Sequence, residues 1–222
     1  MTDLIDGTAA LTWITSFSER FDLTQAYLTE LDRLAGDGDF GANISSALER
    51  TRAGLPSPTD ATFTTVFQSA SRGFMATGGT SGPLFGMWFR DIAKSTKSDT
   101  TSVADLAQGI AAGLATIQKL GGAKVGDNTM IDALEPASFA ITASAERGGT
   151  VGEALLEAAL AARAGAESTA GLIAARGRAT YVGELARGVL DPGAVTIALF
   201  FEAGADSLGT AQNRQPLGAT GQ

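Results

Sequence analysis

Glycine-rich turns divide this chain into a run of helical segments, and that punctuation limits the fold more than any other feature. Such turns stand at Gly36–Gly41, Gly78–Gly82, Gly121–Gly126 and Pro192-Gly193. Between them apolar residues recur every three or four positions, the spacing of one helix face. Leu11, Ile14 and Phe17 show it, then Tyr27, Leu28, Leu31 and Leu34. The spacing predicts one or two helices over 7–34, with Asp22 as a break or cap between them. Further helices are expected at 42–53, 59–76, from Pro83 through Ile92, and at 103–120, 129–147, 151–166 and 192–205. No stretch alternates convincingly as a strand does. The expectation is about eight helices, with a less regular stretch over 168–188. If they run alternately up and down, turns two helices apart share one end of the bundle. Backbone donors from several turns would then form a cup there.

The 222 residues suffice for one sizeable core. A single domain over 1–208 is expected, with a polar, frayed tail over 209–222. The net charge of −8 argues against nucleic acid or an anionic membrane as partner. No apolar run is long enough to span a bilayer, and the acidic MTDLIDG start lacks the basic region of a signal peptide, so a cytoplasmic location is expected. With no cysteine there is neither a disulfide framework nor a thiolate metal site. With no histidine there is no phosphohistidine, no Ser-His-Asp triad and no histidine base. Chemistry must rest on carboxylates, Lys, Arg, backbone dipoles, metals or a partner's residues.

The segment LDRLAGDGDFGAN, Leu31–Asn43, carries the strongest chemical signal. Glycines opening a helix suit a phosphate, because backbone N–H groups point outward there. Asp32, Asp37 and Asp39 in the same loop would repel one. The two facts agree if Mg²⁺, a hard cation bound by carboxylate and phosphate oxygens, lies between them. The bland alternative makes Asp37 or Asp39 an ordinary helix cap. Gly36–Gly41 formally matches GxGxxG, but no strand precedes it, so a dinucleotide fold does not follow. An EF-hand fails because Ala42 and Leu48 stand where glycine and an acid are needed. Thr77–Gly82 offers hydroxyls and N–H groups at another helix start, again suited to phosphate or to capping. Arg178 could neutralise phosphate charge. Asp191-Pro192-Gly193 signals a turn into a helix, and Met130 reads as core.

In order, LDRLAGDGDFGAN, GGTSGPLFG, GGAKVGDNTMIDALEPA and GRATYVGE…LDPGA resemble one family, the ADP-binding L subunit of bacterial dihydroxyacetone kinase. The same domain forms the C-terminal part of single-chain ATP-dependent dihydroxyacetone kinases. The resemblance runs from about Asp6 to Ala205. It implies an all-α fold, an eight-helix antiparallel up-and-down barrel with a nucleotide at one rim. It implies two Mg²⁺ held by Asp32, Asp37 and Asp39. It places ADP or ATP against Phe40, Gly41, Ala42 and Asn43, against Thr80 and Ser81, against Gly121 and Met130 around the base, and against Arg178, Asp191, Pro192 and Gly193. The chain departs from the family in four places: Phe40 replaces a histidine, Ala42 a threonine, Asn128 a commonly basic residue, and Gly183-Glu184-Leu185-Ala186 stands for the usual GERS.

The expected function is phosphoryl transfer to dihydroxyacetone held by a separate K subunit. In the phosphotransferase-linked version, ADP stays bound and is rephosphorylated by the phosphohistidine of an M subunit. Arg178 is the candidate catalytic residue, as a neutraliser of phosphate charge. A homodimer is expected. The alternatives are a subunit of an ATP-dependent kinase for another short ketose such as erythrulose, and a non-catalytic nucleotide sensor that binds a transcription regulator.

Overall fold

The computed structural model describes residues 4–175, 180 and 187–209. Eight α-helices lie within them: α1 (Gly7–Ala35), α2 (Phe40–Gly54), α3 (Phe63–Met75), α4 (Ser81–Ala93), α5 (Val103–Gly121), α6 (Ile131–Glu146), α7 (Val151–Ser168) and α8 (Pro192–Leu208). A short 3₁₀ turn, Thr169–Gly171, follows α7. The described residues contain no strand, only an isolated bridge between Ile5 and Thr101. Residues 210–222 of the expected tail lie outside the described residues.

The expected break at Asp22 is absent. The first segment is one helix of 29 residues, and Asp22 faces outward to Arg52 of α2 at 2.8 Å. A polar residue on the solvent side of an amphipathic helix costs little, so the stripe of Ile14, Phe17, Phe21 and Leu28 carries the helix through. Leu34 is an exception to that stripe. It is 45% exposed, at the last turn of α1.

Each helix packs on the next in sequence, and α8 returns to pack on α1, so the neighbour contacts close into a cycle. The interior is filled. Phe200 of α8 sits among Trp13 and Phe17 of α1, Phe67 of α3, and Trp88 and Phe89 of α4, with ring centroids 4.6 to 6.3 Å away. Full burial of each such ring contributes roughly 2–3 kcal/mol. The Trp13 indole N–H donates to the Phe200 carbonyl at 2.8 Å, which satisfies the only polar atom of that side chain. Charge is also buried between α1, α7 and α8. Glu202, with a side chain 1% exposed, lies 2.5 Å from Arg163 and 3.9 Å from Arg20, and Arg20 also pairs with Asp206. Burial pushes the Glu202 carboxyl up, against the downward pull of Arg163 and Arg20.

The helix starts fall into two sets. α1, α3, α5 and α7 are each closed by their own N-cap side chain: Asp6 accepts from Ala9 N, Thr62 from Thr65 N, Ser102 from Asp105 N and Thr150 from Glu153 N. α2, α4 and α6 start at Asp39, Thr80 and Met130 with no side-chain cap hydrogen bond. α8 is capped by Asp191, which accepts from Ala194 N.

Candidate functional site

A cavity of about 300 Å³ opens where α1 ends and α8 begins. Its walls come from four connections, α1–α2, α3–α4, α5–α6 and the approach to α8. The glycine turns therefore do share one end, and the first turn of α1 and the last turn of α8 lie at the opposite one. Asp32, Asp37, Asp39, Phe40, Asn43, Thr80, Ser81, Gly121, Met130, Asp191, Pro192 and Gly193 all line it. Gly41 and Ala42 do not, and Arg178 lies outside the described residues.

The acidic loop is built around Asp32. One of its carboxylate oxygens accepts from Phe40 N at 2.9 Å, so α2 is closed from the end of α1 and not by Asp39 beside it. Gly36 makes the fold-back possible, since a Cβ there would lie 2.5 Å from the other Asp32 oxygen. Gly41 has a packing role of its own. A Cβ on it would meet Thr29 Oγ1 at 2.0 Å and the Gln25 carbonyl at 3.0 Å, so α2 rests directly on α1. In the α3–α4 turn Gly79 has φ +78°, a backbone region that favours glycine. Arg50 Nη1 donates to Thr77 Oγ1 at 3.1 Å and ties that turn to α2.

On the other side, Asp132 clamps the loop before α6. It accepts from Gly126 N at 2.6 Å and from Thr129 N at 2.8 Å. Asn128, between those two points, is buried with φ 58°. Gly193 brings α8 close to this loop, because a Cβ there would lie 3.0 Å from Asp191 Oδ2 and 3.2 Å from Met130 Cβ.

Four carboxylates and no lysine or arginine appear among the described lining residues. Asp191 is partly open to the cavity yet ringed by protein. Burial raises its pKa to about 7, with Asp132 and Asp32 adding repulsion against the bonds from Ala194 and Gly193. The starts of α2, α4 and α6 turn their positive dipole ends to the same space, with Phe40 N bonded to Asp32 and Ile131 N to Thr129 Oγ1. An anion drawn to those dipoles needs a cation to offset the aspartates. Among the described residues no three metal-ligating side chains gather closely enough to hold a metal unaided. This suits Mg²⁺ that takes its remaining ligands from phosphate and water, and the donors here are all hard oxygens.

The sequence reading missed the apolar wall. Leu84, Ile117, Ala123, Ile131 and Leu190 line the cavity as well. In sequence they look like any core residue near a helix end.

Residues 34–206 match the DAK2 domain. The chain belongs to the DAK2 domain family. This DAK2 domain is 36% identical over 195 residues to the ADP-binding subunit DhaL of a PEP-dependent dihydroxyacetone kinase from Listeria innocua, covering 87% of this chain and 93% of that one. It is 36% identical over 192 residues to the DhaL subunit of a PTS-dependent dihydroxyacetone kinase from Lactococcus lactis, covering 86% and 92%. It is 37% identical over 185 residues to an L-erythrulose 1-kinase from Mycolicibacterium smegmatis, covering 81% of this chain and 32% of that one. A crystal structure of the dihydroxyacetone kinase from C. freundii in complex with AMP-PNP and Mg²⁺ superposes with a TM-score of 0.66 at 28% identity, over 90% of this chain and 33% of that one. The all-helical class read from the sequence holds. No helix among the described residues is long and apolar enough to cross a membrane.

Proposed function

We propose that this DAK2 domain is the nucleotide-carrying L subunit of a dihydroxyacetone kinase and works in the cytoplasm. It holds ADP or ATP with two Mg²⁺, and it passes a phosphoryl group to dihydroxyacetone bound on a separate K subunit. One observation carries the reading: the starts of α2, α4 and α6, none capped by its own N-cap side chain, line a cavity whose described charged side chains are all aspartates. Such a site suits a polyphosphate accompanied by cations.

Asp32, Asp37 and Asp39 would hold the metal ions, which supply charge neutralisation to the phosphates. Phe40, Gly41, Ala42 and Asn43 open α2 against the phosphate chain, with Thr80 and Ser81 facing them. Gly121 and Met130 lie beside the base, and Asp191, Pro192 and Gly193 close the floor. Arg178 neutralises phosphate charge. Catalysis is then positioning plus electrostatics, and the base for the acceptor hydroxyl comes from the K subunit. The similarity of about a third to subunits named PEP- and PTS-dependent favours ADP as a resident cofactor, rephosphorylated by an M subunit.

Acid extraction of the purified protein tests this. An adenine nucleotide is expected, and its absence refutes the resident-cofactor form. Reconstitution with a K subunit follows, given either ATP or a phosphorylated M subunit. Turnover with ATP alone assigns the ATP-dependent class. That second reading has one observation in its favour, the 37% identity to the L-erythrulose kinase.

A further inference from the structure

We propose that Gly165 and Pro136 are positioning residues for the nucleotide cavity. Together they seat the backbone of Asp132, and through Asp132 they set the wall formed by Asn128, Thr129, Met130 and Ile131. The proposal rests on the nucleotide reading above. Those four residues line the cavity, whereas Gly165, Pro136 and Asp132 do not.

The chain of contacts starts inside α6. Pro136 lies within that helix and has no N–H, so it cannot donate to the carbonyl four residues earlier, that of Asp132. Its ring also crowds that carbonyl. From α7, Gly165 meets the same group. A Cβ on Gly165 would lie 2.2 Å from the Asp132 carbonyl oxygen, 2.8 Å from Ala133 Cα and 3.0 Å from the Asp132 carbonyl carbon. The backbone of α7 therefore rests on the carbonyl that Pro136 leaves without its helical donor. All three of those atoms are backbone, so none can swing aside as a side chain would.

The side chain of Asp132 carries the position onward. It is buried and accepts from Gly126 N at 2.6 Å and from Thr129 N at 2.8 Å. Between those two amides Asn128 holds φ 58°, a region costly for any residue but glycine, so the loop depends on these bonds for its shape. Asp132 is thus fixed twice, by α7 at its carbonyl and by the loop at its carboxylate. A shift in the first turn of α6 passes directly to the cavity wall, although Gly165 touches no ligand.

Two measurements on the full chain, stripped of nucleotide and held well below its unfolding temperature, test this: amide hydrogen exchange by NMR at Gly126 and Thr129, and calorimetric titration with ADP and Mg²⁺. In Gly165→Ala both amides should exchange about tenfold faster or more, and ADP should bind about tenfold more weakly, the equivalent of one lost hydrogen bond. Gly109→Ala is the packing control. Its Cβ would lie 2.7 Å from Ser95 Cβ and 2.9 Å from Ile92 Cα, in the first half of α5 and away from the cavity. It should lower stability yet leave both readouts within about threefold of wild type. Pro136→Ala gives the Asp132 carbonyl its helical donor and draws it from Gly165, so the same two amides should exchange faster; this variant decides the question if Gly165→Ala does not fold. The proposal is overturned if the two amides keep wild-type exchange in these α6 and α7 variants, if Gly165→Ala binds ADP as wild type does, or if Gly109→Ala moves both readouts as far. If wild-type protein binds no ADP, the nucleotide reading falls and this proposal with it; if it binds ADP and Gly165→Ala changes neither readout, only this proposal does.

Discussion

Replacing Gly41 with alanine separates packing from ligand contact at the start of α2. The added Cβ would lie 2.0 Å from Thr29 Oγ1 and 3.0 Å from the Gln25 carbonyl. Thr29 is anchored by its own bond to that carbonyl at 2.9 Å, and the carbonyl belongs to α1, so neither gives way easily. Overpacking of this kind costs about 1–3 kcal/mol. Alanine returns up to about 1 kcal/mol through its helix preference, less in a first turn. The net expectation is a loss of roughly 1–2 kcal/mol, seen as a drop of about 2–8 °C in melting temperature for a chain of this size. Because α2 must shift, the bond from Phe40 N to Asp32 is strained as well, and Mg²⁺-dependent ADP affinity should fall. Thr29→Ala removes the closest obstacle. The double variant should therefore recover part of both losses, with a coupling of about 1 kcal/mol in a thermodynamic cycle. Thermal unfolding by circular dichroism and ADP calorimetry on all four proteins give the answer. A Gly41→Ala protein as stable as wild type, or a double variant that recovers nothing, refutes the packing argument.

Three further outcomes follow from the site and the core. Asp39→Asn should leave the stability of the ligand-free protein within about 0.5 kcal/mol, because Asp39 makes no cap bond, yet weaken Mg²⁺-dependent ADP binding by about tenfold or more; calorimetry with and without Mg²⁺ checks both halves. In metal-free, nucleotide-free protein, Asp191 holds its proton to about pH 7 when folded but only to about 3.8 when unfolded, so the native state binds more protons between those values. Its contribution to stability therefore falls as pH rises from about 4 to about 7, and Asp191→Asn should flatten that slope in urea titrations across the range. Glu202→Ala leaves Arg20 and Arg163 without their shared buried partner and should cost on the order of 3 kcal/mol, read from denaturation followed by Trp13 and Trp88 fluorescence.

Much of the helical order was legible because it depends on local spacing and on glycine punctuation. The break expected at Asp22 was not real, since one acid on the outer face of a long helix weighs little against its apolar stripe. Asp39 and Thr80 illustrate a deeper limit. Both are residue types that ordinarily cap helices, and composition cannot tell a side chain that caps from one that leaves the N–H groups exposed. Only the geometry shows that α2 borrows a carboxylate from Asp32, eight residues upstream. Gly41 shows the reverse: its place in a glycine-rich loop suggested ligand contact, while the nearest atoms belong to α1. The apolar wall at Ile117 and Leu190 was invisible for a simpler reason, since cavity lining and core share one hydrophobic signature.

The parity of the helices has a consequence for joined proteins. With eight α-helices among the described residues and the cavity at one end, α1 begins and α8 ends at the other. The 29 residues of α1 separate these ends by roughly 40 Å, at 1.5 Å per residue. This chain matches about a third of its longer relatives, and any domain joined to this one would attach at that far end. An extended linker needs about a dozen residues to cover that distance. With a shorter tether, a joined domain stays beside the closed start of α1 and the end of α8, and the tether itself cannot carry it to the cavity rim.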